Sequence, residues 1–331
     1  MPLFSIIIPV YNRPDETKEL LESLSLQTEK DFETIIVEDG SAVPCREAAE
    51  RFTESANVRY FFKANEGRSA ARNYGMERAT GEWLVFFDSD CIIPRDYFKT
   101  VKGCIADAGF DCYGGPDAAD DSFTTLQKAI NYSMTSFFTT GGIRGKKGGM
   151  EKFLPRTFNM GFSREVYKKV GGFRDMFGED IDMSLRIREN GFRTVLLTDA
   201  FVFHKRRNTL RSFSRQMIIF GRSRIELYLL HPDSLKIVHL LPAVFMCGSI
   251  MLLLLSVLSP WFLLPLGIYY AALVCEAAIK NRSAKVAALA PVTATIQLWG
   301  YACGFIRAFV MEVIFKRKGD KEAEMRRLKF K

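Results

Sequence analysis

A run of 22 residues, Ile237–Leu258, contains no Asp, Glu, Lys or Arg. As a helix rising about 1.5 Å per residue it would cross the roughly 30 Å hydrocarbon core of a bilayer. That run divides the chain: residues 1–235 read as a globular domain and residues 236–315 as a membrane region. Trp261–Ile279 can return across the bilayer, with Glu276 near its end, and Lys280 to Lys285 then form a short basic loop suited to the cytoplasmic side. Val286–Ile306 is apolar again, but Arg307 and Glu312 interrupt its continuation to Phe315. Three complete spans would leave the basic tail, residues 316–331 with eight basic and three acidic residues, outside. That opposes the positive-inside tendency. The expectation is therefore a two-span hairpin, a third helix that is partly inserted or interfacial, and a cytoplasmic tail. A buried soluble hairpin is the alternative, which the length without charge disfavours.

The charge distribution agrees. The net charge is +8, and between Phe201 and Ile225 there are seven Lys or Arg residues and no acid. Basic clusters beside apolar segments suit anionic lipid headgroups, so a membrane is the expected partner and nucleic acid is not. Seven cysteines without a CxxC pair argue against a disulfide framework or a zinc site and for a reducing compartment. Phe4–Val10 is too short an apolar run for a signal peptide and no charged segment precedes it, so the first domain is expected to stay in the cytosol.

Within 1–235, Phe4–Val10 is a continuous, β-branched run that ends at Tyr11-Asn12-Arg13-Pro14, as a buried parallel strand and its exit loop would. Helical spacing follows over Asp15–Gln27. Strands are expected at Phe32–Val37, Val58–Phe62 and Trp83–Phe87, and helices at Cys45–Ser55 and Gly67–Ala79. This alternation specifies an α/β fold with a twisted, mainly parallel sheet. Ligands of such sheets bind beyond the carboxyl ends of the strands, where Tyr11-Asn12, Glu38-Asp39 and Asp88-Ser89-Asp90 fall. No dinucleotide fingerprint or phosphate loop follows the first strand, which disfavours nicotinamide cofactors and simple ATPases. Further on, residues 141–149 hold five glycines, either an exposed loop or a mobile basic lid over phosphates.

Asp88 and Asp90 stand two apart after an apolar strand. Extended chain would point both carboxylates one way, as an oxygen site for Mg²⁺ or Mn²⁺ bridging a diphosphate; a solvated turn is the bland alternative. Asp39 could accept from a base N–H or a ribose hydroxyl, or be a turn-forming Asp before Gly40. Glu179 and Asp180 open a helical run to Asn190, where acids suit the helix dipole, and either could be a general base. His204, after the apolar run Val195–Phe203, reads from position alone as a surface residue beside Lys205.

The ordered set of motifs resembles family 2 glycosyltransferases of the GT-A fold, particularly bacterial membrane-associated members that build polysaccharides. The motifs are Phe4 to Arg13, Glu38-Asp39-Gly40-Ser41, Asn65-Glu66-Gly67 with Ala71-Arg72-Asn73, Asp88-Ser89-Asp90, Asn159-Met160-Gly161-Phe162-Ser163, Gly171-Gly172-Phe173 and Gly178-Glu179-Asp180. The resemblance implies a Rossmann-like mixed sheet and a nucleotide-diphosphate sugar donor, with a UDP-sugar expected. It implies that Pro9, Tyr11 and Asp39, with Asn12 beside them, bind the base and ribose. Arg72 would approach the diphosphate, Asp88 would contact the donor, and Asp90 would bind the metal. His204 matches a further metal ligand of some GT-A enzymes, and Asp180 would be the base of a single inverting displacement. Residues 297–305 look like the last membrane segment of relatives that assemble exopolysaccharide repeats on lipid carriers. The expected acceptor is thus a lipid-linked glycan, and the expected location is the inner membrane with the catalytic domain facing the cytosol.

One departure narrows this. Processive members carry QxxRW, whereas Gln216 is followed by Met217-Ile218-Ile219-Phe220. A single sugar addition is expected instead. Transfer to polyprenyl phosphate is an alternative in which a base at Asp180 matters less. A nucleotide-sugar-binding scaffold without turnover is the alternative of another class.

Overall fold

A computed structural model describes residues 1–118, 123–140, 153–205 and 208–315. The glycine-rich stretch 141–149 and the tail 316–331 lie outside the described residues. Two compact units account for the rest: one comprises residues 1–118 and 153–205, the other 123–140 and 208–315.

The first unit is built on a seven-stranded sheet. Its strands are β1 (Phe4–Val10), β2 (Phe32–Asp39), β3 (Val58–Lys63), β4 (Trp83–Phe86), β6 (Cys112–Gly114), β8 (Met160–Ser163) and β9 (Thr194–Leu196), in the order β3-β2-β1-β4-β8-β6-β9. β1 runs parallel to both β2 and β4, and β8 is antiparallel to β4 and β6. Alternation along β1 feeds two core layers: Phe4, Ile6, Ile8 and Val10 pack on one face and Ile7 on the other. β4 does the same, with Trp83 and Val85 opposite Leu84 and Phe86. A strand buried on both faces reads as an unbroken apolar run, which is why both were legible. Helices α1 (Pro14–Ser25), α2 (Arg46–Glu50) and α3 (Arg68–Arg78) follow β1, β2 and β3, and α4 (Tyr97–Ala108) comes after β4. α2 stops at Glu50, short of the expected Ser55.

A second, three-stranded sheet was not expected. It joins β5 (Cys91–Ile92), β7 (Asp117–Ala118) and β10 (Val202–His204) in the order β5-β10-β7, and its register sets His204 opposite Cys91. After β8, α7 (Arg164–Val170) leads through Gly171-Gly172 to α8 (Glu179–Glu189). Asp182, fully buried on α8, binds Arg174 at 2.6 Å and Arg186 at 2.8 Å. Arg186 also donates to the carbonyls of Val170 and Gly172, which ties down the approach to α8.

The second unit contains α5 (Thr125–Thr135), α6 (Phe137–Thr140), α9 (Leu210–Leu230), α10 (Leu241–Leu255), α11 (Leu264–Asn281) and α12 (Ala284–Ala308). α5, α6 and α9 therefore pack with the apolar helices, so the expected division at residue 235 is not where the contacts divide. Among the described residues, two apolar segments are long enough to cross a membrane, Pro260–Asn281 and Ala284–Phe315, and α10 is a shorter apolar helix of 15 residues. At about 1.5 Å per residue α10 covers only about 22 Å. The charge-free run is longer than its helix, since the 3₁₀ turn Ile237–His239 precedes α10, Pro242 sits in its first turn and Ser259-Pro260 follow it. α12, which covers the expected apolar run Val286–Ile306 and ends one residue past Arg307, is the longest helix described. It crosses α9 with backbones in near contact: a Cβ at Gly304 would lie 2.0 Å from the Ile218 carbonyl oxygen, and one at Gly221 2.0 Å from that of Tyr301. Glu276 of α11 is satisfied by the Tyr132 hydroxyl at 2.7 Å and by Lys280.

Candidate active site

β1, β2 and β4 are parallel, so their carboxyl ends share one edge of the sheet, and the loops after them carry the candidate residues. The loop after β1 is fixed by Asn12, which has φ 53°. Its N–H donates to Ser41 Oγ at 2.7 Å, and its Oδ1 accepts from Ala42 and Val43 N–H at 2.8 and 3.2 Å. The side chain expected to bind the donor thus joins two loops. Pro9 is half-buried in β1, and Tyr11 is 53 % exposed just beyond it.

After β2, Asp39 accepts from Lys63 Nζ at 2.9 Å, from Glu66 N–H at 3.0 Å and from Gly67 N–H at 2.8 Å. Two of these bonds fall on Oδ1 and one on Oδ2, so one acceptor position on Oδ2 is left for a ligand. Asn65 Nδ2 donates to the Asp39 carbonyl at 2.9 Å. Gly40 has φ +72°, and a Cβ there would stand 2.6 Å from Asn65 N. The motifs at 38–41 and 65–67 are therefore halves of one turn system.

After β4 the chain turns at once: Cys91 N–H donates to the Asp88 carbonyl at 3.1 Å. The expectation that Asp88 and Asp90 lie on extended chain is corrected, because a turn gives each carboxylate its own partners. Asp88 Oδ1 accepts from Arg72 Nη2 at 2.7 Å. Asp90 Oδ2 accepts from Arg13 Nη1, and Asp90 Oδ1 lies 3.2 Å from His204 Nε2. Burial would raise the Asp90 carboxyl, but His204 and Arg13 hold it well below the usual carboxylate range. The β5–β10 pairing delivers His204 here, and its ring stacks on Phe158 at 4.9 Å. Read from position as a surface residue, His204 instead meets the acid.

Asp90, Cys91 and His204 offer ligand atoms within 4.8 Å of one another. Burial pushes the Cys91 thiol well up, and its Sγ faces the Phe158 carbonyl at 3.6 Å. Soft sulfur suits neither Mn²⁺ nor Mg²⁺, whereas the carboxylate and imidazole form an oxygen–nitrogen pair that fits such an ion.

Arg72, expected to approach a diphosphate, is 2 % exposed and bridges Asp88 to Glu179, the latter at 2.9 Å. Its guanidinium also lies 5.7 Å from the Phe173 ring centroid. A phosphate would meet a buried guanidinium whose Nη1 and Nη2 already serve two acids, so its geometry is that of a residue that holds Asp88. Glu179 binds Arg68 as well, at 2.8 Å, and is itself buried.

Asp180 differs from its neighbour. Gly178, with φ 85°, starts α8 in a left-handed conformation. Asp180 Oδ1 accepts from Ile181 N–H at 2.8 Å, and Oδ2 lies 3.3 Å from Arg156 Nη1. Burial would raise its carboxyl, but Arg156 and then Arg68 outweigh burial and keep it ionised. Arg13, Arg68 and Arg156 were not nominated from the sequence. Arg13 had a signal, its place in the loop after β1; Arg156 had none.

Residues 5–171 match the family model for glycosyl transferase family 2. The chain is 26 % identical over 242 residues to glycosyltransferase AglE of Haloferax volcanii, covering 71 % of this chain and 77 % of that protein. It is 44 % identical over 92 residues to an uncharacterized glycosyltransferase of Rickettsia felis, a stretch covering 28 % of this chain and only 15 % of that longer protein. Among solved structures it resembles mannosyltransferase PcManGT from Pyrobaculum calidifontis in complex with GDP-Man and Mn²⁺. There the TM-score is 0.58 at 18 % identity, over 93 % of this chain and 87 % of that one. The likeness bears on the fold: the mixed sheet is the GT-A arrangement expected from the sequence.

Proposed function

The chain belongs to glycosyl transferase family 2, and on that premise we propose that it moves one sugar, with inversion, from a nucleotide-diphosphate sugar to a hydroxyl of a lipid-linked glycan. A UDP-sugar is the first donor to test, with a GDP-sugar as the comparison. The pathway proposed is bacterial surface or exopolysaccharide assembly. The observation that carries this reading is the meeting of Asp90 with His204 beside Asp88, at the edge where β1 and β2 also end.

Asp90 and His204 would hold a divalent cation, which would neutralise charge gathering on the departing nucleoside diphosphate. Arg72 holds Asp88 toward the donor, and Glu179 anchors Arg72. Asp39, with Pro9, Tyr11 and Asn12 around it, shapes the pocket for base and ribose. Asp180, kept ionised by Arg156 and Arg68, takes the proton from the acceptor hydroxyl as that oxygen attacks the anomeric carbon. The bond from that carbon to the diphosphate oxygen breaks on the opposite face, so the configuration inverts. An acceptor that is already an anion would need no such base, so the ionised Asp180 favours a hydroxyl acceptor over polyprenyl phosphate.

The membrane assignment is part of the proposal. The apolar helices support a location in the inner membrane, and the basic residues at 205–225 and 316–331 support a catalytic unit on the cytosolic side. The test is a donor screen with purified protein, Mn²⁺ and lipid extract, followed by product analysis. A lengthened glycolipid of inverted anomeric configuration is expected. A sugar-phosphate lipid would replace this reading with polyprenyl-phosphate transfer, and no product from any donor would point to a binding protein.

A further inference from the structure

Arg13 has no part in the roles above, yet it occupies half of the Asp90 carboxylate. Its backbone is fixed: the Arg13 carbonyl accepts from Thr17 N–H at 3.1 Å and from Thr17 Oγ1 at 2.7 Å, at the first turn of α1. Asn12 before it is pinned to the loop after β2. The side chain is less confined, with 31 % of its surface exposed, and Nη1 reaches Asp90 Oδ2. His204 Nε2 stands at the other oxygen, Oδ1, at 3.2 Å. Both oxygens of Asp90 are thus engaged, one of them by a permanent cation.

A divalent ion on Asp90 and His204 would stand a few ångström from that guanidinium, and like charges at such range repel. Arg13 and the ion therefore compete for one carboxylate. The diphosphate of a donor would remove the conflict, because its oxygens accept from a guanidinium as well as a carboxylate does.

We propose that Arg13 is a latch coupling metal binding to donor binding: paired with Asp90 it opposes the ion, and it moves to the diphosphate oxygens when a donor arrives. The proposal rests on the reading of Asp90 and His204 as metal ligands. Arg13 is then a positioning residue that makes the two ligands bind cooperatively. Such coupling is reciprocal, so each ligand raises affinity for the other by the same factor.

The test is binding of Mn²⁺ to the full chain in detergent, followed by electron paramagnetic resonance with and without UDP or GDP. Without nucleotide, Arg13→Gln should bind Mn²⁺ roughly tenfold more tightly than the parent, within the usual range of coupling between sites. It should gain correspondingly less on adding nucleotide. Arg13→Lys keeps the charge and should behave like the parent, and Arg13→Met should repeat the Gln result. Asp90→Asn should abolish the signal in every background. Equal or weaker Mn²⁺ binding in Arg13→Gln and Arg13→Met, with the signal still lost in Asp90→Asn, would overturn the latch and leave the metal site standing. Mn²⁺ binding indifferent to Asp90 would overturn the metal reading, and the latch with it.

Discussion

His204 Nε2 lies 3.2 Å from Asp90 Oδ1, although Asp90 lies in the turn before β5 and His204 ends β10. If they hold the metal together, their loss should be graded. Asp90→Ala removes the anionic ligand and should lower Mn²⁺-dependent turnover at least 100-fold, while His204→Ala should lower it less and raise the Mn²⁺ concentration needed for half activity. EDTA should stop transfer and Mn²⁺ or Mg²⁺ restore it. Full turnover in metal-free buffer would rule this out.

Asp182 is fully buried between Arg174 and Arg186. Removing one partner of a buried ion pair typically costs about 3–5 kcal/mol, since the other charge stays uncompensated. Asp182→Asn should therefore lower Tm by several degrees whatever its effect on activity. Thermal unfolding in detergent checks this, and an unchanged Tm would show that the pair does not brace α8.

Glu33 gives the acid limit. Burial would raise its carboxyl, but Thr80, Ser5 and Arg59 together bring it from 4.5 down to about 2. A carboxyl depressed on folding contributes stability that is present above its unfolded value and is lost as pH falls through the folded one. The window is thus about pH 4.5 to 2, and the contribution above it is about 3 kcal/mol. Glu33→Gln should lower Tm at pH 7 and flatten its fall across that window. A Tm that falls as steeply in the variant would assign the acid loss to other groups.

The strands were legible where burial on both faces leaves an unbroken apolar run, as in β1 and β4. The short strands β5 and β10, two and three residues long, are too brief for a run to mark them; only pairing makes them, and pairing is what brings His204 to Asp90. Alternation misled at Asp88-Ser89-Asp90, since it presumes extended chain and the chain turns there. Similarly, Arg72 carries no sign in the sequence that two acids bury it. In the apolar region, absence of charge was read as helix length, but proline and 3₁₀ turns trim α10, while Arg307 sits within the last turn of α12 without ending it early.

The membrane arrangement is open to direct labelling. α10 by itself is too short to span, so a hairpin of α10 and α11 needs the 3₁₀ turn Ile237–His239 as part of its first span; in that arrangement the turn at Ser283 faces the cytosol, beside Lys280, Arg282 and Lys285, and the uncharged turn at Leu258 faces out. In a background with the native cysteines replaced, Leu258→Cys should react with an impermeant maleimide on intact cells and Ser283→Cys only after permeabilisation. The reverse pattern would make α11 and α12 the spanning pair.

Asp180 and Glu179 are adjacent acids with opposite surroundings. Glu179 is locked between Arg68 and Arg72, whereas Asp180 is ionised with a single arginine contact. Once a donor and acceptor that react are in hand, the most direct measurement is turnover and donor affinity of Asp180→Asn and Glu179→Gln side by side. General-base catalysis typically contributes about 10²- to 10⁴-fold. Asp180→Asn should lose turnover in that range with donor affinity within a few-fold of the parent and Tm unchanged, while Glu179→Gln loses less turnover and lowers Tm. Turnover retained in Asp180→Asn, or lost only in step with donor affinity, would contradict its role as the base.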